Sequence, residues 1–180
     1  MKGNKIIMKK ILSLLGTITL IGTSTTSLVA CNTSQYSKDE LTKLKAENKI
    51  DTTNQQIKDN LEWIAPQEKP FKNNVDNKYY FVVWRGKKTN DWRIVKFKND
   101  IDLNIPAGKR TLDNLSGYDL NLTNSGIKDI NLNIFKSGIA SFSHWWNRND
   151  DYFKSVYRWN SDTSELNLMV DKDGNLKVIE

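Results

Sequence analysis

Residues 79–98 decide the fold. They read Tyr79-Tyr80-Phe81-Val82-Val83-Trp84-Arg85, then Gly86-Lys87-Lys88-Thr89-Asn90-Asp91, then Trp92-Arg93-Ile94-Val95-Lys96-Phe97-Lys98. The first run is aromatic and β-branched, with apolar side chains at both parities. A strand alternates its side chains between two faces, so a run with no polar face suits a central strand. The middle run is a turn. The third answers as a second strand, and together they make a hairpin.

The pattern continues on both sides. Leu166, Leu168 and Val170 alternate with Asn167 and Met169. Asp171-Lys172-Asp173-Gly174-Asn175 turns the chain, and Leu176-Lys177-Val178-Ile179 returns, a second hairpin. A third is expected from Phe142 to Trp159, turning at Asn147-Arg148-Asn149-Asp150-Asp151. Between them Leu120-Asn121-Leu122-Thr123-Asn124-Ser125-Gly126-Ile127 is echoed by Leu132-Asn133-Ile134-Phe135-Lys136-Ser137-Gly138-Ile139. A solenoid needs at least three copies, so this reads as two similar strand-turn units. Residues 61–180 are therefore expected to form a mainly β domain, a small antiparallel sandwich or barrel-like fold of roughly six or more strands.

Upstream, residues 31–60 are polar. Ser37-Lys38-Asp39-Glu40 is a capping box, with Ser at the N-cap and Glu three residues on. It predicts a short helix over about 38–49 with Leu41 and Leu44 on one face, and Ile57, Leu61 and Ile64 also have helical spacing. Within so polar a segment the expectation over 38–49 is a tether with transient helices in preference to a docked helix, and over 54–64 the two readings stay open. Pro66 and Pro70 end any helix.

The first thirty residues have a different character. Residues 1–10 are basic, 11–21 mostly apolar, and small and hydroxyl residues lead to Leu28-Val29-Ala30-Cys31. This is the three-part layout of a secretory signal peptide. Its apolar stretch is roughly a dozen residues, too short for a helix across a bilayer core of about 30 Å. Leu28-Val29-Ala30-Cys31 resembles the bacterial lipobox, and Cys31 is the sole cysteine. The leader, with Met8-Lys9-Lys10 as a second possible start besides Met1, is similar to the prolipoproteins of wall-less bacteria (mollicutes) of the spiroplasma type. The resemblance covers about the first thirty residues and implies cleavage between Ala30 and Cys31. It further implies a diacylglyceryl group on the Cys31 sulfur, and a mature chain held by lipid on the outer face of the cell membrane. Residues 1–30 are then the signal peptide and 31–60 the anchored tether.

The charge balance must be read after that division. Formal net charge is +6, but Lys2, Lys5, Lys9 and Lys10 lie in the leader and no acid does, so the remainder carries +2. That argues against nucleic acid as a partner. Lys outnumbers Arg 22 to 5 and Asn is abundant, the mark of AT-rich codons.

Little in the sequence announces chemistry. One Cys and one His exclude a Cys-ligated zinc cluster and any site with two imidazoles. Ser143 and His144 are adjacent on an expected strand and point to opposite faces, so they do not pair as nucleophile and base. Asp171-Lys172-Asp173-Gly174 departs from the calcium-loop spacing, which needs Gly at the sixth position and Glu at the twelfth. No cofactor or metal is expected, and the pattern favours a non-enzyme. The aromatic residues carry the binding expectation. Trp145 and Trp146, if on a strand, face opposite sides, so one can enter the core while the other sits on the surface or under a loop; the aromatics as a set either fill the core of the β domain or form a ligand-binding patch. Trp145, Trp146, Arg148 and Trp159 are the candidate ligand-binding residues, since Trp, Tyr and Arg anchor binding surfaces. The expected function is a membrane-anchored adhesion or binding lipoprotein that meets a host glycan or protein. The alternatives are an accessory subunit docked on another membrane protein and, less favoured, an extracellular hydrolase.

Overall fold

A computed structural model describes residues 36–72, 75–126, 129–148, 151–161 and 166–179. Ala30 and Cys31, with the rest of the leader, lie outside the described residues, as do Asn149 and Asp150. Two helices, α1 (Lys38–Glu47) and α2 (Gln55–Asn60), precede the strands β1 (Leu61–Trp63), β2 (Tyr79–Trp84), β3 (Arg93–Lys98), β4 (Lys109–Leu115) and β5 (Tyr118–Asn124). There follow β6 (Ile130–Lys136), β7 (Ile139–Trp145), β8 (Phe153–Trp159), β9 (Leu168–Val170) and β10 (Leu176–Val178). The protein is mainly β. Two four-stranded antiparallel sheets, β1-β8-β2-β3 and β4-β5-β6-β7, make a sandwich, and β9-β10 is a separate hairpin.

Strand β2 behaves as its composition demands. It lies between β8 and β3, with the expected hairpin in register from Tyr79 against Lys98 to Trp84 against Arg93. One parity, Tyr80, Val82 and Trp84, enters the core between the sheets with Phe97 and Val156; Leu120, Leu122, Leu132 and Ile134 meet it from the second sheet. The other parity, Phe81 and Val83, enters a second cluster with Tyr157 and Trp159 on the outer side of the first sheet. There Ile50 and Ile57, from the helical segment, and Leu168 and Leu176, from the β9-β10 hairpin, cover it. Burying a large apolar side chain contributes about 1.5–3 kcal/mol, so an apolar outer face drives the acquisition of this cover.

The partial repeat is one hairpin. β5 and β6 pair antiparallel with Leu120 against Ile134, Asn121 against Asn133 and Leu122 against Leu132. The shared Leu-Asn-Leu/Ile pattern meets itself, apolar side chains inward and asparagines outward.

Two elements differ from the sequence reading. The hairpin expected from Phe142 to Trp159 does not form, because β7 pairs with β6 in the second sheet while β8 pairs with β1 and β2 in the first. After β7, Trp146–Arg148 makes a 3₁₀ turn that buries Trp146 in the inter-sheet core, and this carries the chain across to the other sheet. The polar turn residues signalled a reversal but not its partner.

The second difference is the 36–60 segment. The capping box forms, with Ser37 Oγ accepting from the Glu40 N–H and the Glu40 carboxylate accepting from the Ser37 N–H. The helix is also docked. Lys45 Nζ donates to Glu62 at 2.6 Å and to Glu68 at 2.7 Å, Tyr157 Oη donates to the Asn48 carbonyl at 2.9 Å, and the Tyr36 backbone is bonded at both its N–H and its carbonyl by the Gln67 side chain. Residues 36–60 thus pack as part of the β domain. Among the described residues no helix is long and apolar enough to cross a membrane.

Candidate ligand-binding face

The two sheets treat their outer faces differently. The first is roofed by the second cluster. On the second sheet the outward parities of β4 to β7 form cross-strand rows. The middle row runs Thr111, Asn121, Asn133, Trp145, one residue per strand, each paired with the next. Below it lie Lys109, Thr123 and Asn131; above it lie Asp119, Phe135 and Ser143. Neither hydrophobic cluster includes Phe135 or Trp145. Their rings meet edge to face, centroids 6.4 Å apart, and stand half-buried on this face.

The asparagine row is buried although, among the described residues, no helix or strand covers it. Asn121 and Asn133 are both 0% exposed. Thr111 Oγ1 donates to Asn121 Oδ1 at 2.8 Å, Asn121 Nδ2 donates to the Asp119 carbonyl at 3.0 Å, and Thr123 Oγ1 donates to Asn133 Oδ1 at 3.2 Å. Lys109 starts in the lower row and ends with Nζ 5.9 Å from the centre of the Phe135 ring in the upper row, so its stem crosses the asparagines. Asn133 Nδ2 is buried and has no hydrogen-bond partner. An unmet buried donor costs about 1–3 kcal/mol, and such orphans call for an explanation. An amide lacking an acceptor, beside a Trp-Phe pair, is suited to a ligand that brings an apolar ring face and an oxygen acceptor together.

Of the four residues singled out from the sequence, the structure places only Trp145 on this face. Trp146 is 5% exposed and lies in the inter-sheet core, its ring 6.2 Å from Phe71. Trp159 is 2% exposed and lies in the cluster beneath α2 and the β9-β10 hairpin. Trp159 is core because β8 turns it towards the covering layer, and Trp146 because the 3₁₀ turn after β7 folds it between the sheets. Arg148 is exposed at the end of the 3₁₀ turn. The asparagine row escaped the sequence reading, which took Asn abundance as codon bias. The signal was the same Asn at the same place in both copies of the repeat.

The other chemical candidates resolve into packing. His144 stacks on Tyr152 with centroids 3.7 Å apart, and Phe142 lies edge-on to both rings. The Asp171 carboxylate accepts from the Asn175 N–H, the Asn175 side-chain amide and the Asp173 N–H, and the Asn175 backbone bond chief among these holds it below the usual carboxylate range. It closes the β9-β10 turn. Glu62 is partly buried, which opposes its charge, yet hydrogen bonds from Lys45, Asn160 and Arg158 outweigh that and hold its pKa below the ordinary value. This cluster fastens α1 to β1 and β8. Among the described residues no group of three or more His, Cys, Asp or Glu could hold a metal ion.

Comparison with known proteins is nearly silent. No family model matches the chain and no solved structure matches it. A stretch of 30 residues is 50% identical to the "Uncharacterized protein ORF1" of Spiroplasma virus SpV1-R8A2 B. It covers 17% of this chain and only 4% of the length of that protein.

Proposed function

We propose that the protein is a lipid-anchored surface protein of a wall-less bacterium. Its β domain binds an external ligand, a host glycan or protein, through the outer face of the β4–β7 sheet. One observation carries this reading: among the described residues no element covers that face, and it combines the Trp145–Phe135 pair with the unpartnered amide of Asn133. Flat aromatic faces beside amides suit a sugar ring, whose C–H face packs on the aromatic while its hydroxyls accept from the amide. The lipobox at Cys31 supports the anchor, and the short likeness to a spiroplasma-virus protein accords with the spiroplasma-type leader. The reading requires no catalytic group and no metal.

Two experiments test it. Mass spectrometry of the chain from native membranes should find Cys31 as the N-terminal residue, acylated, and Cys31→Ser should release the chain from membranes. Saturable binding to a glycan panel or to host cells should be lost in Trp145→Ala and kept in Arg148→Ala. Binding unaffected by Trp145→Ala would refute the placement of the site. Binding to neither surface, with a partner co-purifying in mild detergent, would favour the accessory-subunit reading.

A further inference from the structure

The β3–β4 connection is a built loop that holds two isoleucines in water. Leu103 points inward to the core, while Ile101 and Ile105 on either side are 49% and 61% exposed. The arrangement is fixed by the buried Asn124 amide, which donates to the Leu103 and Ile105 carbonyls at 3.0 and 3.3 Å. The Gly108 N–H closes the loop onto Ile105 at 3.0 Å, and a side chain at Gly108 would strike the Leu103 carbonyl at 2.3 Å. Exposed apolar residues scattered singly are ordinary, but two held outward by one rigid loop form a patch that calls for a partner.

The position of the loop identifies that partner. Tyr36, the first described residue, is clamped through its backbone by Gln67. Gln67, Phe71 and Ile130 line one shallow cleft, and Phe71 and Ile130 also line the next, which reaches Ile101 and Leu103. The N-terminal exit of the domain and the isoleucine loop therefore belong to one continuous end of the sandwich. Only residues 32–35 stand between Cys31 and Tyr36. Five peptide steps span at most about 18 Å even fully extended. Lys69 and Lys72, both exposed, follow Gln67 along the chain, and with the acids of the same end they leave it near neutral, so the apolar loop rather than charge carries the fit. Of the acids there, Asp100 is paired with Arg110 at 2.9 Å, Asp102 accepts from both the backbone and side-chain N–H groups of Asn104, and Asp129 accepts from Ser125 Oγ.

The geometry points to the bilayer surface as the partner: the end of the sandwich bearing Ile101 and Ile105 lies against the phospholipid headgroups, with the two isoleucines at the acyl boundary. This rests on the anchoring of Cys31 proposed above. The domain would then stand on the membrane with a fixed end down. A lipid on Cys31 supplies most of the affinity, and the loop sets the orientation.

The test separates the two ideas. The chain from Cys31 to Glu180, whose described part has its own two hydrophobic clusters, is coupled through its sole thiol to a maleimide lipid in phosphatidylcholine–phosphatidylglycerol vesicles. Amide hydrogen exchange is compared with the uncoupled protein. Exchange in 99–108 should slow by about threefold or more on coupling, a loss of local opening. In Ile101→Ser/Ile105→Ser, with an unchanged circular dichroism spectrum, that slowing should vanish. Unchanged exchange in 99–108, slowing confined to β4–β7 or to the β9-β10 hairpin, or equal slowing in the double variant would each overturn the orientation. The chemical coupling replaces native lipidation, so an unacylated Cys31 in native membranes would refute the anchor without bearing on this result.

Discussion

Trp145 and Trp146 are neighbours in sequence with opposite surroundings, and one substitution separates them. Trp146 is 5% exposed in the core between the sheets, against Phe71. Truncating a buried Trp to Ala costs about 3–5 kcal/mol through lost burial and the cavity left behind. Trp145 is half-buried, and its aromatic partner is Phe135 at 6.4 Å. Losing that pair costs about 0.5–1.5 kcal/mol, and the smaller buried area adds a similar amount, so the total is roughly 1–2 kcal/mol. At this chain length each kcal/mol moves the thermal midpoint by about 3 °C. Trp146→Ala should therefore lower the midpoint by roughly 10 °C or more and Trp145→Ala by roughly 3–6 °C. The readout is far-UV circular dichroism, since either substitution alters the fluorescence. Ligand binding should show the reverse order, lost in Trp145→Ala and kept in Trp146→Ala wherever the latter is folded. Equal midpoint losses, or a larger one for Trp145, would refute the assignment of inner and outer faces in β7 and the turn after it.

Glycine offers a second contrast. Gly174 has φ +81°, and a Cβ there would lie 2.7 Å from Cγ of Trp92, so Gly174→Ala should destabilise by about 2 kcal/mol or more in urea. Gly138, at φ +78° with nothing within 4 Å, should lose only about 1–2 kcal/mol on the same change. Acid should loosen the α1 attachment. Glu62 has a folded pKa below the ordinary 4.5, so its contribution is complete above that pH and is lost as pH falls through the folded value. Stability should drop below pH 4.5, more gently in Glu62→Gln, and protease cleavage in 36–50 should rise in parallel. Alkali should act through Tyr157, whose phenol is pushed up by burial to about 12. A raised folded pKa gives stability that is complete below the ordinary pH 10 and lost as pH climbs towards 12, so Tyr157→Phe should flatten the fall in urea midpoint over that range. A residual slope should remain from Tyr80, whose pKa burial and then the neighbouring Asp76 carboxylate also raise.

What could be read from the sequence was local. The β2–β3 and β9-β10 hairpins follow from alternation and turn residues, and the α1 N-terminus follows from Ser37 and Glu40 alone. The docking of α1 was illegible because its bonds are distant in the chain. Lys45 meets Glu62 and Glu68, 17 and 23 residues away, and the Asn48 carbonyl meets Tyr157, 109 residues away. A polar segment with such partners looks like a solvated tether until the partners are known. The partners of β7 and β8 were hidden for a related reason: a turn signal fixes where a chain reverses, and the burial of Trp146 decides which sheet receives it. Of the candidate site, Trp145 was legible and its companions were not. Apolar residues on β8 and after β7 gave no hint of which covering layer would take Trp159 and Trp146.

The asymmetry of the sandwich follows from the outward parity of its strands. The first sheet turns Phe81, Val83, Tyr157 and Trp159 outward, and so apolar a face cannot remain in water; residues 50–57 and the C-terminal hairpin are drawn over it. The second sheet turns Thr111, Asn121, Thr123, Asn131 and Asn133 outward, a set that water could satisfy without any covering layer. Phe135 and Trp145 are the exceptions on that face. If solvation were its only requirement, exposed polar side chains would have served there, and Asn133 would have kept a partner for its amide. An aromatic pair, a buried amide row and a lysine stem reaching over them keep apolar area and one unmet donor together on a sheet face that no described element covers. In the proposed reading a ligand would meet the Lys109 stem there, and among the described residues no helix or strand lies over the row. That combination, more than the aromatic content of the chain, is why the proposed binding site is placed on this face.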